Sequence, residues 1–279
     1  MTAAKRRRIR SYRHRRRSDP TGVARTPSGE AGLKSAFARD WTRRARKLEK
    51  LCAIPPDKLS VDEVHDLRVT TRRLRASLSL LRRCADMKRE RGARRELRTL
   101  GRALGARRML DIAIRDAERY GADTAPLRKR HVRASAALVR TLRRKRAKSL
   151  LDDLAAIAKE IPAAPFARLW WRFQDFEWEL AYRAERLPRT AEEWHELRIE
   201  LKKVRYVLEA LGRRSVPLER LQDHLGREHD LGVLQTLIGK ERAIAKDERA
   251  ARLCAERVMA AALRSAMKNL QWLRREIVR

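Results

Sequence analysis

The sequence has few of the residues that build disulfide frameworks or membrane spans. Its 279 residues include only three cysteines, Cys52, Cys84 and Cys254, which are far apart and odd in number. They indicate neither a disulfide framework nor a CxxC metal site, and are typical of buried thiols in a reducing compartment. No apolar run approaches the roughly 20 residues that a membrane span needs, and no apolar segment of a secretory signal follows the basic N-terminus. We therefore expect a cytoplasmic protein with no membrane association.

Acidic and aromatic residues are also scarce. Only 36 Asp and Glu oppose 70 Lys and Arg, which gives a net charge of +34. An excess this large opposes compaction unless anions are present, so it predicts a polyanionic partner: nucleic acid, polyphosphate or an acidic membrane surface. Aromatic residues make up 5% of the chain, and Phe166, Trp170, Phe173 and Trp178 form one helical pattern that favours a core over a base-stacking surface. No helix-turn-helix, RRM or zinc-finger signature appears.

Sequence motifs of catalysis are missing as well. The chain contains no Walker A loop and no HExxH motif. His224 and His229 are five residues apart, about 140° around a helix, which makes them a poor chelating pair. We therefore expect a protein that is not an enzyme, with no catalytic residues, no metal and no cofactor.

The chain divides into a basic tail and a helical body. Nine of the thirteen residues between Lys5 and Arg17 are Lys or Arg, and Pro and Gly follow, so residues 1–30 are predicted to be disordered. The tail could solubilise the protein, hold polyanions such as nucleic acid weakly, or act as a targeting peptide. In residues 31–279 Ala, Leu, Arg, Lys and Glu dominate, breaks at Gly and Pro are short, and strand patterns are absent. The body is therefore predicted to be all-α, with about eight to ten helices.

An internal repeat is the strongest signal in the body. Residues 60–83 match residues 190–213 at an offset of 130 without a gap. Both copies open with a capping box, in which Ser60 or Thr190 is followed three residues later by Glu, so each is predicted to begin a helix. A shorter match joins residues 100–111 to residues 221–232 at an offset of 121. The matches divide the body into halves at about 31–160 and 161–279, which we expect to be bundles related by a pseudo-two-fold axis.

Each copy of the longer repeat carries one basic and one apolar stripe. On a helical wheel the basic side chains lie on one side, and the leucines of both copies lie on the other. Basic residues three and four positions apart repel one another unless an anion lies across them, whereas solvated faces usually mix charges. The stripes therefore predict an anion-binding groove between the two helices. Its candidate residues are His65, Arg68, Arg72, Arg75 and Arg83 in the first copy, and His195, Arg198, Lys202, Arg205 and Arg213 in the second.

These motifs resemble the CHAD domain family, over roughly residues 31–279. The resemblance rests on the eleven-residue motifs that begin at His65 and His195 and on Leu225-Gly-Arg-Glu-His-Asp-Leu231. It implies two four-helix bundles in pseudo-two-fold arrangement, a basic groove that binds inorganic polyphosphate, and association with polyphosphate granules. It also adds Arg73 and Lys203 to the candidate ligands. The first half departs from the family pattern, because Met109 stands where the second half has Asp230. The hydrogen bond of that acid must then be missing or supplied by Asp111.

Alternatives remain at two points. Polyphosphate has no bases to stack, so a ladder of Arg and Lys along the helices suffices for it, but charge alone also favours a nucleic-acid-binding helical protein. The two repeated histidines could donate to phosphate as imidazolium, or they could be neutral side chains hydrogen-bonded within the bundle.

Overall fold

The computed structural model describes residues 28–84, 89–143 and 146–279, apart from the side chains of residues 83–84 and 146–148. The predicted disordered tail lies outside these ranges up to residue 27, and so does the side chain of Arg83. Within them all regular structure is helical, which confirms the all-α prediction. The helices are α1 (Gly29–Cys52), α2 (Val61–Cys84), α3 (Glu90–Arg119), α4 (Ala125–Leu142), α5 (Arg146–Glu160), α6 (Leu169–Glu185), α7 (Ala191–Ala210), α8 (Val216–Ile238) and α9 (Arg242–Val278), with short 3-10 turns at Pro56–Lys58, Ile161–Ala163 and Phe166–Arg168.

The two capping boxes form as the sequence predicts. In α7 the backbone N–H of Glu193 donates to Thr190 Oγ1 over 3.2 Å, and the backbone N–H of Thr190 donates to Glu193 Oε2 over 3.1 Å. The same exchange joins Ser60 and Glu63 at the start of α2, over 3.2 and 2.7 Å. Each pair satisfies two backbone donors that a helix start leaves open. The copies therefore begin their helices at equivalent residues, and their basic side chains start in register.

The four helices that carry the repeats meet at the centre of the molecule. Helix α2 packs along α3 and α7 packs along α8, while α2 also contacts α7 and α3 contacts α8. The contact between α3 and α8 has a small apolar core of its own, which includes Leu110, Ala113, Leu231 and Leu234. Each repeated helix thus touches its counterpart in the other half, as a two-fold arrangement requires, and the two-fold relation itself stays a prediction.

The main hydrophobic core is continuous across both halves. The predicted apolar stripes lie in it: Leu67, Leu74, Leu78 and Leu81 from α2, with Leu197, Val204, Leu208 and Leu211 from α7, are all buried. Burying each such side chain contributes about 1.5–3 kcal/mol. Helix α1 closes the core, and its Trp41 Nε1 donates to the carbonyl of Leu154 on α5 over 3.0 Å. With their apolar stripes held inside, α2 and α7 must turn their basic stripes the other way.

Helix α6 only partly agrees with the core prediction. Phe166 and Phe173 are buried, but Trp178 is 68% exposed and Trp171 is 69% exposed. The core prediction is wrong for Trp178, because it follows Phe173 by five residues and so lies about 140° around the helix from that buried side chain. None of the helices in the described ranges is long and apolar enough to span a bilayer.

Candidate anion-binding site

A cavity of about 420 Å³ lies between α2, α3, α7 and α8. Its walls carry six basic side chains, and one acidic side chain, Asp230. The two halves contribute equivalent positions, since Arg68 and Arg198 are related by the longer repeat and Arg108 and His229 by the shorter one. The basic residues on the cavity wall are Arg68, Arg102, Arg108, Arg198, Lys202 and His229.

Two glycines in α3 make room for arginines of α2. A Cβ atom added at Gly105 would lie 2.7 Å from Arg68 Nη1, and one added at Gly101 would lie 3.3 Å from Arg75 Nη1. Any side chain at these positions would press on the guanidinium groups. The glycines, one helical turn apart, therefore let α3 approach α2 closely enough for Arg68 to reach the cavity. There its Nη1 lies 3.5 Å from the carbonyl oxygen of Gly101.

Three arginines at the site have buried donors without acceptors. The Nε–H groups of Arg72, Arg108 and Arg198 are buried and find no hydrogen-bond partner among the described residues. Arg72 is held in place at its other end, where Nη2 donates to the hydroxyl of Tyr206 on α7. A buried donor left without a partner costs about 1–3 kcal/mol, and more when it is charged. Arg73, Arg252 and Arg274, which form ion pairs away from the cavity, have buried Nε–H groups of the same kind. At the cavity these donors therefore indicate an anion site only together with the clustered positive charges around them.

The charges at the site repel one another strongly. Burial, followed by the neighbouring Arg198, Arg72 and Arg68, lowers the pKa of Lys202 to about 6. Burial and Arg72 lower the pKa of Arg68 to about 10. Asp230 counters both effects only in part, and burial raises the pKa of its own carboxyl group. An anion in the cavity would relieve this repulsion and return Lys202 to its charged form.

The histidines divide between the cavity and its margins. His229 lies on the wall, where burial, followed by Arg198 and His195, lowers its pKa to about 4. The ring of His195 lies near it, with centroids 5.3 Å apart and planes tilted by 35°, and lines an adjoining cavity. At the equivalent place in α2, the pKa of His65 is lowered by partial burial and then by Arg108. Of the two predicted histidines, His195 lines the adjoining cavity and His65 lines neither of the two cavities.

Arg73 and Arg205 do not line the central cavity, and a role for them in anion binding stays a prediction. Both pair with Glu209, which lies two turns after Lys202 along the same face of α7: Arg73 Nη2 lies 2.9 Å from Glu209 Oε2, and Arg205 Nε lies 2.7 Å from Glu209 Oε1. Arg205 also donates to Gln222 on α8 over 3.2 Å. These contacts tie α2, α7 and α8 together in an ion-pair network, so the two arginines hold the scaffold that carries the site.

Lys203 and Arg213 are also displaced from the predicted groove. Lys203 is exposed and pairs with Glu200 in its own helix, at 2.5 Å. Arg213 follows the end of α7, where its Nε donates to Asn269 Oδ1 over 2.9 Å and its guanidinium lies 4.4 Å from the ring centroid of Trp272. The helical wheel placed Arg213 on the basic stripe and the family resemblance added Lys203. Arg213 lies beyond the end of α7 because the stripe is longer than the cavity, and Lys203 lies about 100° around the helix from Lys202.

The structure adds four wall residues that the stripes did not include. Arg102 and Arg108 come from α3, and His229 and Asp230 come from α8. The shorter repeat was the signal that could have found them, since it aligns Arg108 with His229. Met109 occupies the wall at the position equivalent to Asp230, and Asp111 does not replace that acid. Asp111 instead accepts from Arg107 Nε over 3.0 Å and lies 2.8 Å from His131 Nε2, towards α4.

The wall chemistry suits an anion held by guanidinium and ammonium groups. Arginine engages phosphate oxygens with paired donors, and lysine acts as a point charge. No cluster of three or more His, Cys, Asp or Glu side chains in the described part of the chain is arranged to hold a metal ion. The expectation that the chain has no metal and no cofactor stays a prediction.

Comparison with known proteins identifies the family. The CHAD domain model matches residues 45–239. The fold is similar to the crystal structure of the CHAD domain from the plant Ricinus communis, with a TM-score of 0.62 and 22% identity over 91% of this chain and 96% of that one. It is also similar to PptA from Streptomyces chartreusis, with a TM-score of 0.59 and 18% identity over 88% of this chain and 99% of that one. Curated protein sequences give no significant match. Because the family model spans more than half of the chain, the chain belongs to the CHAD domain family.

Proposed function

We propose that this protein binds inorganic polyphosphate in the central cavity, acts as a binder and not as an enzyme, and associates with polyphosphate granules in the cytoplasm. The observation that carries the proposal is the cluster of Arg68, Arg108, Arg198 and Lys202 on the wall of one cavity, where burial and repulsion between neighbouring cations lower the pKa of Lys202 to about 6. Membership in the CHAD family is consistent with it. A linear polyanion would supply an acceptor to each arginine at once.

The spacing of the cations fits a chain of phosphates. Arg68 and Arg72 are one helical turn apart on α2, about 6 Å along the axis, as are Arg198 and Lys202 on α7. Each pair presents successive positive charges, and the pairs meet across the cavity because α2 contacts α7. Bound phosphates would separate like charges that otherwise repel, so ligand binding should stabilise the fold. Among the described residues, the cavity wall contains no Phe, Tyr or Trp side chain on which a base could stack.

The test is binding of long-chain polyphosphate to the full chain at about physiological salt, with double-stranded DNA as competitor. The test variant carries Arg68→Ala, Arg72→Ala, Arg198→Ala and Lys202→Ala. We expect its affinity for polyphosphate to fall by at least about 100-fold, since several charge-assisted hydrogen bonds are lost together. DNA should displace polyphosphate poorly from the unmodified protein.

The control removes the same side-chain types from a surface remote from the cavity. Lys129, Arg130, Arg133 and Arg140 are exposed on α4 and line neither of the two central cavities. Their replacement by Ala changes the net charge equally, so we expect only a few-fold loss of affinity. Equal losses in the two variants, or equal displacement by DNA, would show that a general basic surface binds polyanions, which is the nucleic-acid alternative.

A further inference from the structure

The two halves of the molecule differ in charge at one place beside the cavity. In the first half Arg102 lies on the cavity wall, and Arg98 is one helical turn further along α3. Arg75 lies near them, since its Nη1 is 3.3 Å from the place of a Cβ added at Gly101, and its pKa is lowered by burial and then by the charges of Arg98 and Arg102. No ion pair joins these three arginines to an acid in the described part of the chain. We call Arg75, Arg98 and Arg102 the basic lip.

The equivalent place in the second half has the opposite charge. The offset of 121 aligns Arg98 with Glu219 and Arg102 with Asp223. The leucines around these residues also correspond at this offset and are buried in both helices. They are Leu97, Leu100 and Leu104 in α3, and Leu218, Leu221 and Leu225 in α8. Two exposed arginines of one half are thus replaced by two carboxylates in the other.

The arginine of α7 that should complete a second basic lip is neutralised. Arg205 is equivalent to Arg75 by the offset of 130. Its guanidinium pairs with Glu209 at 2.7 Å and lies 3.7 Å from Glu219. Arg75 has Ser79 at the position where Arg205 has Glu209, so no acid of its own helix is in reach. Arg214 also pairs with Glu219, at 2.8 Å, and Arg73 pairs with Glu209, at 2.9 Å. The arginines and carboxylates of the second half therefore balance one another, and Asp223 stays exposed, whereas the first half presents three arginines that no acid in the described ranges neutralises.

The adjoining cavity is also unfavourable for an anion. It has a volume of about 560 Å³ and shares Arg198, His229 and Val233 with the central cavity. Its remaining wall includes four carboxylates, from Glu192, Glu196, Glu228 and Glu248. Arg252 pairs with Glu228 at 2.5 Å, and Arg183 lies 3.4 Å from Glu196, so the acids are only partly neutralised. A polyanion that leaves the central cavity on this side would meet repulsion.

We propose that polyphosphate leaves the central cavity over the basic lip and not through the second half, so that a repeated scaffold holds its ligand asymmetrically. The inference rests on the proposed function, because it assigns the path of the same ligand. A short polyphosphate is held by the cavity alone. A long one gains further contacts on Arg98 and Arg75, so the basic lip makes affinity depend on chain length.

The test compares tripolyphosphate with long-chain polyphosphate on the full chain. Arg98→Asp removes a lip cation that does not line the cavity, so affinity for the long chain should fall about tenfold while affinity for tripolyphosphate changes no more than about twofold. Asp223→Arg should tighten long-chain binding several-fold, since it opens a second cationic path. The double variant keeps the net charge of +34 and should bind long chains about as well as the unmodified protein.

The matched control is Arg133→Asp, which changes the net charge by the same amount as Arg98→Asp. Arg133 is exposed on α4 and lines neither cavity. If both substitutions weaken long-chain binding equally, or if Arg98→Asp weakens both ligands equally, the asymmetric path is wrong. The higher long-chain affinity expected for Asp223→Arg tests the asymmetric path with a substitution that leaves α3 unchanged. If neither polyphosphate binds the unmodified protein, the proposed function itself fails.

Discussion

At the scale of single residues, the cavity keeps cations close together and places most acids elsewhere. Glu209 pairs with Arg73 and Arg205, and Glu228 pairs with Arg252. These carboxylates join helices of the scaffold and do not line the central cavity. Only Asp230 faces the clustered charges there. Because buried like charges repel, this arrangement lowers the free energy of unfolding. An anion bound among the charges would raise it again.

Lys202 should destabilise the folded protein and, at the same time, strengthen the binding of an anion. Its pKa of about 6 in the folded protein lies below the ordinary value of 10.5. Between these values the unfolded chain holds the proton and the folded chain does not, so Lys202 makes stability rise with pH. The penalty is fully present below pH 6 and gone above about pH 10.5. Lys202→Met should therefore raise Tm by about 3 °C or more near pH 7, with a gain that shrinks towards pH 10.5.

The same substitution should weaken long-chain polyphosphate binding by about tenfold, because one ammonium contact is lost. Thermal unfolding at several pH values and a binding titration check both effects. Lys203→Met is the control, since Lys203 is exposed and pairs with Glu200 in its own helix, and it should change stability by no more than about 0.5 kcal/mol. A lower Tm for Lys202→Met near pH 7 would contradict the argument.

At the scale of helices, the sequence predicts the positions of the repeated elements well and their neighbours less well. Capping boxes and leucine spacing are local, so the starts of α2 and α7 and their buried faces follow from the chain alone. The partner of each arginine is a tertiary property. Glu209 stands one turn after Arg205 in the sequence, but its contact with Arg73 depends on how α2 crosses α7. Likewise, the role of Arg108 requires knowing that α3 meets α8.

The glycines of α3 provide a test of that helix contact. Gly105→Ala should gain helix propensity, about 0.5–1 kcal/mol, but its Cβ would lie 2.7 Å from Arg68 Nη1 and displace the guanidinium. We therefore expect polyphosphate affinity to fall by about tenfold without loss of stability. Gly226→Ala is the matched control, because Gly226 is the repeat counterpart in α8 and a Cβ there meets no atom within 4 Å. It should stabilise the protein to a similar extent and leave affinity unchanged, as thermal unfolding and titration would show.

At the scale of the whole molecule, the positive charge is divided between the N-terminal tail and the helical body that contains the central cavity. Residues 1–27 contain ten of the 70 basic residues and one of the 36 acids. A short basic segment attracts any polyanion through counterion release. Under the proposed function, the cavity would admit only a flexible chain narrow enough to enter between four helices. The two parts should therefore contribute differently to polyphosphate and to DNA.

Deletion of residues 1–27 tests this division. The described fold begins at α1, whose Gly29 N–H donates to Glu276 Oε2 of α9 over 2.9 Å, so the remaining chain keeps both ends of the bundle joined. We expect the shortened protein to keep its polyphosphate affinity within a few-fold and to lose most of its DNA binding. The slope of log K against log salt for DNA should become less steep by several units, since each lost phosphate contact removes about 0.9. Titrations of both ligands over a range of salt concentrations provide the measurement. Equal losses for both would place the main polyanion contact in the tail, and the arginines of the cavity would then need another explanation.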